Sequence, residues 1–204
     1  MRTLVIDTAT AACSVALFAG ERLLARSHEV VGRGHAERLV PMIAALPEGG
    51  RAGHILVDVG PGSFTGVRVG IAAARGLALG WGAEAGGYSS LPLIAAAAFA
   101  RAPVARLAAV LEGGHGEVFM QLFTSPLTAA SALRSIAPAE ALATLGDAPA
   151  VGDGVRRLAP LAPGGAFSEA LPDAADAFLL PEPFRSLPPR PLYGRAPDAK
   201  PTQR

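Results

Sequence analysis

The residues best placed to do chemistry lie in one stretch, Ile55-Leu-Val-Asp-Val-Gly-Pro-Gly-Ser-Phe-Thr-Gly-Val-Arg-Val-Gly70 and the run that follows it to Leu77. Ile55 to Val59 is short, apolar and β-branched, which predicts a buried strand. Gly60-Pro61-Gly62 stops it, because Pro61 has no N–H to continue a ladder and glycines admit positive φ. Ser63 predicts a helix N-cap, its hydroxyl accepting an orphan N–H of the first turn. Val67, Ile71, Ala74 and Ala78 then recur as a helical stripe. Strand, glycine turn and helix N-terminus together aim backbone N–H groups at one spot, which suits an anion. The candidate anion- or nucleotide-binding residues are therefore Gly60, Gly62, Ser63, Thr65 and Gly66. Asp7, Thr8 and Thr10, in a small polar turn after the first predicted strand, join them. A nucleotide P-loop is excluded. It needs Gly-Lys-Ser/Thr after the glycine loop, whereas Gly66 is followed by Val67 and Arg68, and Lys200 is the sole lysine. The same residues also suit a tight turn whose glycines serve close packing alone. The sequence leaves both readings open.

Other chemistries find less support. His28, His35 and His54 show no helical metal-ligand spacing, and His35 reads as a polar residue at a helix start. Cys13 is the single cysteine, so neither a disulfide framework nor a cysteine metal cluster is available, and it reads as an inert buried thiol. No Gly-x-Ser-x-Gly elbow occurs, and the chain has no asparagine to complete a Cys-His-Asn set. The net charge of +1 creates no field to draw a polyanion across the surface. Contact with nucleic acid would have to be local or carried by a partner. The longest apolar run, Leu91 to Ala100, is about half of what a bilayer crossing needs. The N-terminus enters a strand directly after Arg2, without the features of a signal peptide. The expectation is a soluble, cytoplasmic protein.

The elements that must position these residues follow in order. Leu4-Val5-Ile6 predicts a strand ending on Asp7, Ser14 to Phe18 a second, and Arg22 to Glu29 a third with one solvated face. Ala36 to Leu46 predicts a helix with Leu39, Met42, Ile43 and Leu46 on one side, interrupted by Pro41. After the central strand and helix, Trp81 to Gly87 reads as a glycine-rich connection and Ser89 to Ala100 as an alanine-rich helix. Arg101-Ala102-Pro103 marks a boundary. Beyond it the pattern restarts. A shift of 105 residues places Ile6 on Leu111, Asp7 on Glu112, Val15 on Met120 and Phe18 on Phe123, which suggests an internal duplication. Pro138 to Leu145 predicts a helix, Val151-Gly-Asp-Gly154 a strand ending in a turn, and Asp173 to Leu180 a helix-like stretch. The organisation is thus a lobe over 1–101, a smaller lobe over 102–180 and a tail over 181–204. That tail holds seven prolines and reads as extended and weakly structured.

Three antiparallel strands with an acid in the first turn are similar to the actin-like ATPase superfamily, which holds phosphate with an Asp-x-Gly-Thr turn. Here the turn is Asp7-Thr8-Ala9-Thr10, without the glycine. Leu4 to Thr10, Gly34-His-Ala-Glu-Arg-Leu-Val-Pro-Met42 and Gly60 to Gly70 resemble the TsaB (YeaZ) family. Weaker echoes are Glu117-Val-Phe119, Val151 to Gly154 and Pro191-Leu-Tyr-Gly-Arg195. Where members often carry Asp-Ala-Arg in the second lobe, this chain has Glu112-Gly113-Gly114.

The resemblance implies an α/β, duplicated actin-like (ribonuclease H-like) fold in two lobes. It also implies a non-catalytic scaffold that binds TsaD, and with it TsaE, for threonylcarbamoylation of the adenosine beside the anticodon. On that reading the chain has no cofactor by itself, ATP and metal belong to the partner subunits, and tRNA is reached only through the complex. A homodimer is expected when TsaD is absent. The family's partner-binding helices fall on 35–46 and 63–79, with His35, Leu39, Met42, Ile43, Arg68, Ile71 and Arg75 as the partner-binding residues. The competing reading is a stand-alone actin-like nucleotide hydrolase or a glycoprotease-like peptidase.

Overall fold

The computed structural model describes residues 1–194. The first half is a five-stranded sheet with β1 (Arg2–Asp7), β2 (Ala12–Ala19), β3 (Arg22–Val30), β4 (His54–Asp58) and β5 (Glu84–Tyr88). Their order is β3-β2-β1-β4-β5. β1 pairs antiparallel with β2 and parallel with β4, and β4 pairs parallel with β5. Strands covered on both faces read as continuous apolar runs, as β1, β2 and β4 do. β3 lies at the edge and alternates between exposed and half-buried residues. Three helices complete the half: α1 (His35–Ala44), α2 (Phe64–Trp81) and α3 (Ser90–Arg101). Pro41 sits inside α1 on its exposed side, where the forfeited hydrogen bond faces water.

The second half repeats the plan with shorter pieces. It comprises β6 (Arg106–Glu112), β7 (Val118–Thr124), β8 (Thr128–Ala129), β9 (Arg134–Ile136), α4 (Pro138–Leu145), β10 (Ala150–Val151), α5 (Val155–Leu158) and β11 (Phe167–Ser168). The order β11-β10-β6-β7-β8, with β9 also on β7, mirrors the first sheet. This is the duplicated actin-like architecture. The repeat is not rigid: Ile6 pairs with Val15, whereas Met120 pairs with Val110 and Leu111 with Phe119. The second hairpin is one residue tighter than a uniform shift of 105 requires.

Alternation along β1 divides the core. Leu4 and Ile6 face α1 and α2 in a cluster with Leu39, Met42, Ile43, Val57, Val67 and Ile71. Val5 faces the other way, into a cluster with Phe18, Leu56, Tyr88, Leu91, Leu107 and Phe123. That second cluster contains α3 and is shared by both sheets.

Two readings from the sequence need correction. Residues 84–87, expected inside a connection, form strand β5 together with Tyr88 at the end of the parallel ladder. Its glycines have a tertiary cause. A methyl at Gly87 would lie 2.6 Å from Val59 Cγ1 and 3.1 Å from the Pro188 carbonyl. The described part of the tail, expected to be extended and weakly structured, makes a 3-10 turn over Glu182–Phe184 and is docked on the first sheet. Leu187 and Gly87 exchange backbone hydrogen bonds of 2.6 and 3.0 Å, and the Leu192 N–H donates to the Val59 carbonyl at 2.8 Å. Residues 195–204 lie outside the described part.

Glycines seat α2 on the β1–β2 turn. A methyl at Gly62 would fall 2.0 Å from the Ala9 carbonyl oxygen, one at Gly66 2.1 Å from that of Thr8, and one at Gly70 2.5 Å from Thr8 Oγ1. The second half repeats the device, with Gly152 against the Val110 carbonyl at 2.0 Å and Gly154 against Leu111 at 2.7 Å. Gly66→Ala is expected to lower the unfolding free energy by about 2 kcal/mol or more, since backbone must move to admit it. Gly76→Ala, on the same helix with nothing within 4 Å, is expected to raise it by up to ~1 kcal/mol from helix propensity. Urea unfolding of the two variants separates close contact from propensity.

Candidate functional site

The candidate anion-binding residues do come together, where the C-terminal ends of β1 and β4 meet the starts of α2 and α3. Ser63 caps α2 as expected, its Oγ accepting from the Gly66 N–H at 3.2 Å. The Ser63 N–H donates to the Ala9 carbonyl at 2.6 Å. The Thr8 hydroxyl donates to the Gly66 carbonyl at 2.7 Å. Three donors an anion would use are therefore bound to the protein itself. Thr10 Oγ1 accepts from the Ala12 N–H at 3.3 Å, within its own turn, while Thr65 is exposed. Gly60, at φ 101°, accepts from the Ser89 hydroxyl at 2.7 Å and the Ser90 N–H at 3.2 Å. Of the two readings of these glycines, the geometry matches close packing of the helix on the turn.

Beneath the turn lies a buried acid pair. Asp7 and Asp58 end neighbouring parallel strands and are wholly inaccessible. Asp7 accepts from the Ala9 N–H at 3.2 Å and the Tyr88 hydroxyl at 2.9 Å. Asp58 accepts from the Gly60 N–H at 2.7 Å and the Ser90 hydroxyl at 2.6 Å. Burial pushes both carboxyls above the ordinary carboxylate range. The hydrogen bond with Asp58 pulls Asp7 back toward ionisation, and the charge of Asp7 pushes Asp58 further up. Two carboxyls so placed resist being ionised together, and sharing one proton between them relieves that repulsion. Asp173 adds a further negative charge facing Asp7, and burial lifts the Tyr88 hydroxyl well above its usual value. Cys13, in the same core, is pushed up to about 11, first by burial and then by Asp7. It is an inert thiol at neutral pH. Sequence reasoning missed Asp58, Tyr88 and Ser90. Asp58 repeats the strand-end acid of Asp7, which was a usable signal, whereas Tyr88 fell between the connection read over 81–87 and the helix read from Ser89.

The partner-binding residues divide differently from expectation. His35, Leu39, Met42, Ile43 and Ile71 are all buried, between 1% and 8% exposed. The four apolar ones pack on their own sheet, and His35 Nε2 meets the Ala12 carbonyl at 3.1 Å. The apolar stripe of each helix faces the core, so these side chains are not free to anchor a partner. Arg68 and Arg75 reach the chain's own tail. Arg68 donates to the Tyr193 hydroxyl and Arg75 to the Pro189 carbonyl, each at 2.7 Å. The opposite face of the helix pair is what solvent meets. Val40 and Pro41 on α1, and Ala72, Gly76, Leu79 and Gly80 on α2, are exposed. Leu79 reaches 86%. α2 is thus apolar on both faces, a pattern that marks a helix covered on two sides.

Residues 28–170 match the family model described as TsaD: tRNA N6-adenosine threonylcarbamoyltransferase. The tRNA threonylcarbamoyladenosine biosynthesis protein TsaB of Escherichia coli is 40% identical over 126 residues, 58% of this chain and 53% of that protein. The chain belongs to the TsaB (YeaZ) family. It spans about half the length of the curated TsaB relatives it matches. An uncharacterized protein of Mycobacterium tuberculosis is 31% identical over 97% of this chain and 93% of its own length. The solved structure of YeaZ from Pseudomonas aeruginosa superposes with a TM-score of 0.78 at 29% identity. It covers 94% of this chain and 99% of that one. Among the described residues no helix is long and apolar enough to cross a membrane.

The acid pair sets a pH dependence. Both carboxyls sit above their ordinary value of 3.8 in the folded state, so folding retains a proton that the unfolded chain releases. That stabilisation is complete below the ordinary value and is lost as pH rises through the raised folded values. The melting temperature is expected to fall from mildly acidic to alkaline pH, and Asp58→Asn to flatten the fall. Thermal melts across pH check this, and parallel curves for the two proteins would refute the shared proton.

Proposed function

We propose that this chain acts in tRNA threonylcarbamoyladenosine formation as a non-catalytic scaffold that pairs with a TsaD subunit. The observation that carries the reading is the exposed apolar face of α1 and α2. Its small residues, Ala72, Gly76 and Gly80, let a second helix approach closely, and Val40 and Leu79 supply apolar anchors. A stable interface needs roughly 800 Å² from each partner, within reach of two helices. The name of the Escherichia coli relative supports the pathway, and the TsaD-type family match supports pairing through like surfaces. TsaE joins through the complex rather than through this chain alone. ATP and metal reside on the partner subunits, and tRNA is contacted through them. The internal bonding of the glycine turn and the burial of Asp7 fit a chain that leaves catalysis to its partner. Without TsaD, the same face pairs with its own copy.

The test is size-exclusion chromatography with light scattering, on this chain alone and mixed with TsaD from the same organism. Wild type is expected to form a heterodimer. Ala72→Glu with Leu79→Glu is expected to stay folded and lose it, because a charge at the centre of an apolar contact is left desolvated. Asp7→Asn is expected to leave pairing intact. A heterodimer undiminished by the double substitution removes the helix face from the interface, and ATP turnover by the isolated chain, lost in Asp7→Asn, refutes the scaffold.

A further inference from the structure

At the other end of the first sheet, the starts of β1 and β4, the β2–β3 turn and residues 182–189 of the tail line an open cavity of 650 Å³. Small-molecule sites typically measure about 300–1,000 Å³, with mostly apolar walls and a few convergent polar groups. The walls here include Leu56, Phe178, Leu187 and Pro188. Arg185 and His54 are the polar groups set among them.

Arg185 differs both from the ion-paired arginines and from Arg68 and Arg75, which bond oxygens of the tail. Arg2, Arg26, Arg38, Arg101, Arg134, Arg156 and Arg157 each face a carboxylate. Arg185 joins no ion pair among the described residues, and its Nε is the one buried side-chain nitrogen or oxygen there without a hydrogen-bond partner. Its guanidinium lies 4.5 Å from the Phe178 ring centroid, and Phe178 in turn stands 4.5 Å from Phe18. The stack fixes the plane of the fork while leaving a donor unmet, a costly arrangement unless an acceptor arrives. His54 is half-buried, and burial, more than the opposing charge of Glu84, holds its ring toward the neutral form. A neutral imidazole offers one donor and one acceptor. Gly86 keeps the floor low, since a methyl there would come within 3.3 Å of Leu56 and 3.5 Å of His54 Nε2.

We propose that this cavity binds a small organic carboxylate with an apolar body, with Arg185 as its charge partner and His54 as a second polar contact. The planar fork matches a carboxylate, and the walls match an aliphatic or aromatic remainder. Glu21 and Glu182, exposed at the rim, repel polyanions and so select against nucleotides and RNA. The site is separate from the helix face proposed for partner binding and does not depend on it.

The experiment is titration of benzoate and hexanoate into the full chain, followed through the arginine Nε–H and histidine ring signals by proton–nitrogen NMR. A saturable shift at Arg185 and His54 is expected at millimolar benzoate, with ATP and inorganic phosphate binding more weakly there. Arg185→Gln is expected to weaken binding roughly tenfold or more, the loss of one charge-assisted hydrogen bond. Arg185→Lys restores only part of it. Should Arg185→Gln not fold, Glu21→Gln with Glu182→Gln carries the test, with tighter phosphate binding expected. The assignment is overturned if neither carboxylate shifts Arg185 saturably, if Arg185→Gln binds benzoate as wild type does, if ATP binds Arg185 more tightly than benzoate, or if the rim variant binds phosphate unchanged.

Discussion

The close approach of the β1–β2 turn to the start of α2 governs much of this molecule. Backbone carbonyls of Thr8 and Ala9 occupy the space where side chains would stand on Gly62 and Gly66. The contact orients α2 and so presents one of its faces to the sheet and the other to solvent. It also buries Asp7, and with it Asp58, because the turn and the helix together close over the ends of β1 and β4. A helix set further out would leave room for water around the carboxyls and remove the reason for a shared proton. Packing distance, electrostatics and surface exposure are thus consequences of a few missing methyl groups.

The two halves use this constraint differently. In the first, both strand-end acids are sealed under the turn. In the second, Gly152 and Gly154 make the same approach to β6, yet Glu112 remains exposed, and Asp153 accepts from the Glu112 N–H at 2.9 Å. The duplicated joint therefore survives without the duplicated acid pair. That separation argues that the glycine contact is the architectural element and the carboxyl pair an addition to the first lobe.

Much of this was legible in the residues, and the gaps share one cause. The strand, the Ser63 cap and the helix after it are local, and local chemistry was enough to read them. The acid-turn-strand pattern repeated 105 residues later was legible because both copies keep the same short-range order. β5 was not legible. Its Gly86 and Gly87 argue against a strand locally, and their purpose is to admit Leu187 and Pro188 from the far end of the chain. The side chains expected to meet a partner proved to be buried for a related reason. Leu39, Met42, Ile43 and Ile71 are the conspicuous apolar residues, but conspicuous side chains are those a helix turns toward its own core. The exposed face is written in alanine and glycine, which carry little signal until the sheet is known to cover the other side.

The docking of the tail also bears on how the protein is made. Hydrogen bonds from Leu187 and Leu192 complete the outer edge of the first sheet at Gly87 and Val59. A ribosome therefore releases every strand of the first lobe long before the segment that covers its edge. During that interval β5 is an open template for pairing with other chains, a known route to misassembly. The prolines at 188, 189 and 191 then allow the arriving segment to satisfy that edge without offering a new one, since proline has no N–H to extend the ladder. The first lobe is finished by the last described residues, which makes vectorial synthesis, and not sequence order, the schedule on which its surface closes.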